Sequence, residues 1–230
     1  MSLPQSPVIP ETQPIEDPAL KWELFWERNK SVIISVFALI AFGTVAAVAW
    51  MINTKLNNEA AQALLAEAKG EEGFQAVFQK YPKSPSAADA LLLLAADRRE
   101  AGKLEESTAA FRLFLDKFPA NQLAGGALLG IGQNQDAAGD ADAAMATYQQ
   151  VISQYPASYA APFAAYSEAE ILLRTLKLEE ARRSYNMVVS QFPQSPLARM
   201  AASQLARINT SSVALPEATV AEPATTAAPE

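Results

Sequence analysis

The alternation of apolar and polar positions changes character along the chain. Residues 1–20 are rich in Pro and poor in aromatics, with no sustained period, so a disordered N-terminal segment is expected there. From Ser31 to Ile52 run twenty-two residues without a charge. As a helix this stretch spans ~33 Å at ~1.5 Å per residue, enough to cross a bilayer. From residue 54 to residue 208 apolar residues recur at helical spacing, and residues 209–230 return to an Ala/Pro/Thr-rich composition expected to be a disordered tail.

The helical part repeats itself. An aromatic-proline pair stands at Tyr81-Pro82, Phe118-Pro119, Tyr155-Pro156 and Phe192-Pro193, 37 residues apart each time. Other columns keep the register. Phe74, Phe111, Tyr148 and Tyr185 precede each proline by eight residues, and Val77, Phe114, Val151 and Val188 precede it by five.

Within one unit, Ser86 to Glu100 and Lys103 to Lys117 each carry a helical pattern, separated by Ala101-Gly102, where glycine ends a helix at positive φ. Equivalent breaks fall at Gly139-Asp140 and Thr175-Leu176-Lys177. Acidic residues such as Glu105-Glu106 and Glu179-Glu180 open the second helix, where the helix dipole favours them. Proline closes the unit, and Ser84, Asn121, Ser158 and Ser195 follow as N-cap candidates for the next helix. A single helical hairpin cannot bury its apolar face alone, so neighbours are expected to stack into a solenoid of roughly three and a half hairpins with Leu197 to Ile208 as a closing helix.

These residues resemble the tetratricopeptide repeats. Ser107, Ala144 and Ala181 take the family's small position in the second helix, Phe111, Tyr148 and Tyr185 the aromatic, and Pro119, Pro156 and Pro193 the stop. Ala95, Gly132 and Ala169 take the small position of the first helix. The chain departs from the pattern where a tyrosine is common, offering Arg98, Gln135 and Leu172, and each unit is longer than the usual one. The resemblance implies an all-α, tetratricopeptide-type helical-hairpin solenoid behind a single N-terminal transmembrane helix. The aromatic-proline-x-Ser ending is similar to repeats of bacterial envelope proteins. A short segment rich in Trp and Phe, a span after Arg28-Asn29-Lys30 and Ala-rich repeats, covering residues 21–208, are similar in layout to the ancillary subunit of the bacterial Sec translocon.

The flanks of the apolar run support a membrane span. Trp22, Phe25 and Trp26 precede it and Trp50 lies near its far end, where amphipathic rings suit the headgroup region. A buried core helix would interrupt such a run with polar residues on one side. A cleaved signal peptide has a small-x-small site in Ala47-Val48-Ala49, but the run is long for one. Lys21, Arg28 and Lys30 before the span, against Lys55 and Lys69 after it, favour a cytoplasmic N-terminus, and the resemblance to the translocon subunit implies a bacterial inner membrane with a periplasmic repeat domain. The expected organisation is therefore residues 1–20, a juxtamembrane and transmembrane part at 21–53, a repeat domain at 54–208, and the tail.

Charge and composition narrow the chemistry. The formal charge of −7 sits mainly in the end segments, because residues 53–208 carry 15 Lys+Arg against 17 Asp+Glu, a balance of −2. That part lacks the basic footprint phosphate neutralisation requires, so no nucleic-acid partner is expected. The chain has no cysteine and no histidine, which removes thiolate nucleophiles, imidazole bases and the usual zinc and iron ligands. Gly126, Gly130 and Gly132 do not make a phosphate loop, since no Lys-Ser/Thr follows them, and close helix packing accounts for them. No catalytic residue, metal, cofactor or small-molecule substrate is expected, and the chain reads as a non-enzyme.

The resemblance implies a protein-binding groove lined by the first helix of each hairpin. In this register it takes in Asp89, Leu92, Ala96 and Arg99, then Leu129, Gln133 and Asp136, then Phe163, Tyr166, Glu170 and Arg174. Phe163 and Tyr166 would anchor a partner segment, with Arg99 and Arg174 as charged contacts. The layout points to translocon subunits, periplasmic chaperones or client chains as partners. An envelope organiser acting in cell division or outer-membrane assembly would use the same groove.

Overall fold

The computed structural model describes residues 18–213, and the two ends expected to be disordered lie largely outside them. Among the described residues there are nine helices and no strand: α1 (Pro18–Glu67), α2 (Gly70–Lys80), α3 (Pro85–Glu100), α4 (Leu104–Lys117), α5 (Ala124–Ala137), α6 (Ala141–Gln154), α7 (Ala160–Arg174), α8 (Leu178–Gln191) and α9 (Leu197–Val213). The chain divides into two units between Leu56 and Asn57. The closing helix runs past Ile208 to Val213, and Pro18 to Leu20 are already helical, so order extends further at both ends than the sequence pattern indicates.

In the first unit α1 exposes its apolar side chains. Phe37, Leu39, Phe42, Val45 and Trp50 are all more than half exposed. Trp22 stacks on Phe25 at 5.6 Å between ring centroids. Thr44, a polar residue within the uncharged run, donates its hydroxyl to the Ala41 carbonyl at 2.8 Å. Its hydrogen-bonding need is therefore met on the helix itself.

In the second unit, α3/α4, α5/α6 and α7/α8 form three hairpins, preceded by α2 and closed by α9. Each helix from α2 to α9 packs on its neighbours in sequence, while α5 also meets α7, and α7 meets α9. This is a solenoid of tetratricopeptide type. The column Val77, Phe114, Val151 and Val188 is fully buried, each side chain contributing about 1.5–3 kcal/mol of transfer free energy.

The aromatic-proline-x-Ser ending is a β-turn made the same way four times. The amides of Ser84, Asn121, Ser158 and Ser195 donate to the carbonyls of Tyr81, Phe118, Tyr155 and Phe192 at 2.9–3.0 Å, with proline at the position whose φ it pre-sets. Ser84 is a true N-cap, accepting from the Ala87 amide at 3.1 Å. Asn121, Ser158 and Ser195 instead accept from the amide two residues on, at 2.9–3.2 Å. Their helices therefore start later in the register than the sequence indicated.

The turn inside each hairpin also repeats. Lys103, Asp140 and Lys177 donate their amides to Arg98, Gln135 and Leu172 carbonyls at 2.8–2.9 Å, the bond that closes a helix through a left-handed residue. Gly102 and Gly139 hold that residue at φ 73° and 86°, while in the third hairpin it is Leu176 at φ 63°. Leu176 is 82% exposed, so its side chain recovers little by burial. Leu176→Gly is expected to raise unfolding free energy by about 1 kcal/mol, read as a higher midpoint in urea. An unchanged or lower midpoint would show that the turn tolerates leucine without strain.

Candidate functional site

The inner surface of the repeat unit is built by α3, α5, α7 and α9, and its polar residues are cross-linked from one repeat to the next. Arg99 on α3 donates to Gln133 Oε1 on α5 at 2.6 Å. Arg174 on α7 pairs with Asp136 on α5 at 2.5 Å. Gln204 on α9 donates to Glu170 on α7 at 3.3 Å, and the buried Tyr185 hydroxyl also donates to Glu170. The Arg99 guanidinium lies 5.3 Å from the Phe111 ring centroid, and burial pulls its pKa below the usual arginine value. Four residues expected to meet a partner, Arg99, Gln133, Glu170 and Arg174, thus already hold the stack together.

Leu129 does not line the groove. It is 6% exposed and belongs to the core, because glycines at 125, 126 and 130 let neighbouring side chains close over the middle of α5. A Cβ on Gly126 would come within 2.1 Å of the Tyr159 hydroxyl, and one on Gly130 within 2.5 Å of the Phe111 ring. These glycines are packing residues.

Asp89 and Ala96 stay exposed, while Leu92 and Tyr166 are half-buried. Tyr166 sits edge-on to Tyr185 at 5.5 Å. Phe163 is 38% exposed and Tyr159 beside it 58%, in edge-to-face contact at 6.5 Å. Both border a cavity of about 450 Å³ walled by Phe192 and the prolines at 156, 162, 193 and 196. Tyr159 was not apparent from the sequence, since its column holds Pro85, Gln122 and Pro196 in the other repeats.

The three departures from the repeat pattern are each accommodated differently. Arg98 donates to Glu71 Oε1 at 2.6 Å, joining α2 to α3, and Lys103 adds a bond to Glu71 Oε2 at 3.1 Å. These two partners hold the Glu71 carboxyl below the usual carboxylate range. Gln135 accepts from the Thr147 hydroxyl at 2.6 Å, and Leu172 is buried. A fourth departure went unnoticed in the sequence: Glu168 stands in the column of Leu94 and Ile131 and is 7% exposed. Aligning that column reveals it. Among the described residues no group of three potential metal-ligating side chains occurs.

Two stretches, residues 126–158 and 164–195, match the tetratricopeptide repeat family. A comparison with curated protein sequences returned no match. Among solved structures, a tetratricopeptide repeat protein from Parabacteroides merdae is similar at a TM-score of 0.50 and 18% identity, over 69% of this chain and 60% of that one. The Yersinia enterocolitica type III secretion chaperone SycD, in complex with a peptide of the translocator YopD, is similar at 0.48 and 22% identity, over 56% of this chain and 97% of that one. PcrH from Pseudomonas aeruginosa is similar at 0.48 and 18% identity, over 55% and 94% respectively. The likeness is one of fold.

The buried tyrosines give the stack a measurable alkaline limit. Burial pushes the Tyr148 hydroxyl up to about 12, and burial together with the Glu170 carboxylate pushes Tyr185 higher still. Both values are raised above that of the unfolded chain, so their stabilising contribution is complete below pH ~10 and lost as pH rises toward 12. Stability is expected to fall with pH in that window, by at most about 1.4 kcal/mol per pH unit for each tyrosine. Urea midpoints followed from pH 9 to 11.5 should show a shallower slope for Tyr148→Phe. Identical slopes would place the hydroxyl in contact with water.

Proposed function

We propose that the protein is a membrane-anchored protein-protein interaction scaffold whose repeats take an extended or helical segment of another protein. The observation that carries this reading is the exposed aromatic pair Tyr159 and Phe163 beside an apolar, proline-walled cavity. Partly desolvated aromatics next to a pocket are the features that anchor protein interfaces. The tetratricopeptide fold supports it, since stacked hairpins leave such a surface continuous along the first helices. Of the expected contact residues, Asp89, Leu92, Phe163, Tyr166 and Arg174 remain accessible, Tyr159 joins them, and Arg99, Gln133 and Glu170 are engaged in bonds between repeats.

Anchoring is supported by α1. Among the described residues it is the one helix long and apolar enough to cross a membrane, and its most apolar stretch is entirely unburied. In this reading residues 31–52 span a bacterial inner membrane, with the N-terminus cytoplasmic and the repeats periplasmic. The layout of residues 21–208, from the Trp/Phe-rich segment through Arg28-Asn29-Lys30 and the span to the repeats, supports a role in protein secretion, with translocon subunits, periplasmic chaperones or client chains as partners. The second reading, an envelope organiser in cell division or outer-membrane assembly, is favoured by the aromatic-proline-x-Ser repeat ending.

A photo-crosslinking residue placed at Asp89 of the full chain in living cells, followed by membrane extraction and mass spectrometry, tests the proposal. Translocon subunits or periplasmic chaperones are the expected products, and Tyr159→Ala and Phe163→Ala should each reduce them several-fold. Division or outer-membrane assembly factors would replace the secretion reading. Crosslinks unaffected by both alanine variants would remove the aromatic pair from the binding surface.

A further inference from the structure

A second feature lies away from the groove, on the side of the second helices. Helices α6 and α8 flank a cavity of about 610 Å³ floored by α7. Its walls are mixed: Met145 and Ile152 from α6, Leu172 from α7 and Met187 from α8 form the apolar part, beside the polar Gln149 and Ser184. Glu168 also lines it. In the two preceding repeats its column is Leu94 and Ile131, each 5% exposed and buried in the core. Glu168 is as buried as they are, at 7% exposure, yet carries a carboxylate.

One oxygen of that carboxylate is held by the protein and the other is left open to the cavity. Gln149 Nε2 donates to Glu168 Oε1 at 2.8 Å, and among the described residues no lysine or arginine forms an ion pair with it. A buried carboxylate held by one neutral donor is costly, and the apolar residue used elsewhere in this column avoids that cost. The departure therefore places a charge where a repeat-like residue is apolar, at the wall of an open cavity. A charge that breaks an apolar repeat column at a cavity is a mark of function more than of folding.

We propose that this cavity binds an arginine side chain presented by a partner polypeptide, with Glu168 as its carboxylate partner. The planar guanidinium matches a carboxylate in two parallel bonds and is weakly hydrated, so it tolerates a site this buried better than an ammonium does. Its methylene stem would lie along the Met145 and Met187 thioethers, which adapt to irregular contacts. The rim carries Asp142 and Glu180 together with Lys177 and Arg183. Those opposed charges offset one another, which favours a polypeptide with its own mixed charges over a free small cation. The cavity size, within the ~300–1,000 Å³ range of ligand sites, leaves room for apolar residues on either side of the arginine.

The site stands independently of the groove, and its test reads a different part of the molecule. The full chain, labelled with ¹³C at the methionine methyls and held in lipid nanodiscs, is titrated with acetyl-Ala-Leu-Arg-Leu-Ala-amide and with the same peptide carrying citrulline, the uncharged isostere of arginine. Met145 and Met187 line the cavity, while Met51 and Met200 are 66% and 51% exposed outside it and serve as internal controls. The arginine peptide should shift Met145 and Met187 saturably, leave Met51 and Met200 in place, and bind about tenfold or more tightly than the citrulline peptide. Glu168→Gln should abolish that difference. Glu168→Ile, which restores the repeat pattern, should melt at or above the parent temperature while no longer discriminating between the peptides. Equal affinity for the two peptides, discrimination that survives Glu168→Gln, or a Glu168→Ile chain that melts well below the parent would overturn the proposal.

Discussion

In the central hairpin the Tyr148 ring from the second helix lies against Gly132 of the first, and this contact sets how closely the two helices approach. The repeat register puts an aromatic and a small residue at the same positions in the other two hairpins. The pairs are Phe111 with Ala95, Tyr148 with Gly132 and Tyr185 with Ala169 in register. In the central hairpin a Cβ on Gly132 would fall 2.6 and 2.8 Å from Tyr148 ring carbons. Phe111 also reaches the following repeat, where it lies over Gly130, while the Tyr185 hydroxyl donates to Glu170 of its own hairpin, itself tied to Gln204 on α9. Intra-hairpin spacing and inter-hairpin stacking thus share one side chain. Moving the ring disturbs both.

The polar ladder follows from that spacing. Arg99 reaches Gln133, and Arg174 reaches Asp136, because successive first helices sit near enough for side chains 34 and 38 residues apart to pair. Another joint lies beside it, where buried Asn134 donates to the Ser107 hydroxyl at 2.9 Å and Ser107 donates to the Ala95 carbonyl at 2.7 Å. These bonds tie the repeats together without closing every polar group, since Arg99 Nε and Asn134 Oδ1 are buried with no hydrogen-bond partner among the described residues. The departure at Glu168 stands apart, since besides its bond from Gln149 on the preceding hairpin it opens a carboxylate toward a cavity.

Much of this architecture was legible because it is periodic. The 37-residue register located the hairpins, the three intra-hairpin breaks and the aromatic turns, since each depends on local residues such as Gly102, Gly139 and the prolines. The groove was less legible, because helical spacing shows which residues share a face but not how closely neighbouring helices cover it. Leu129 faces the same way as Leu92, yet the glycines around it let the neighbours close over it. The ladder pairs could not be read from spacing within one helix, as both partners lie on different repeats. Tyr159 and Glu168 break their columns, and a column-by-column comparison would have exposed them.

The dependence of the stack on the ring contact is tested most directly by Gly132→Ala. Helix propensity alone predicts that alanine in α5 stabilises the fold by about 1 kcal/mol, whereas overpacking against a buried ring predicts a loss of about 1–3 kcal/mol. Urea unfolding of the full chain separates the two by sign. A lower midpoint is the expected result, and a midpoint at or above the parent value would contradict the account.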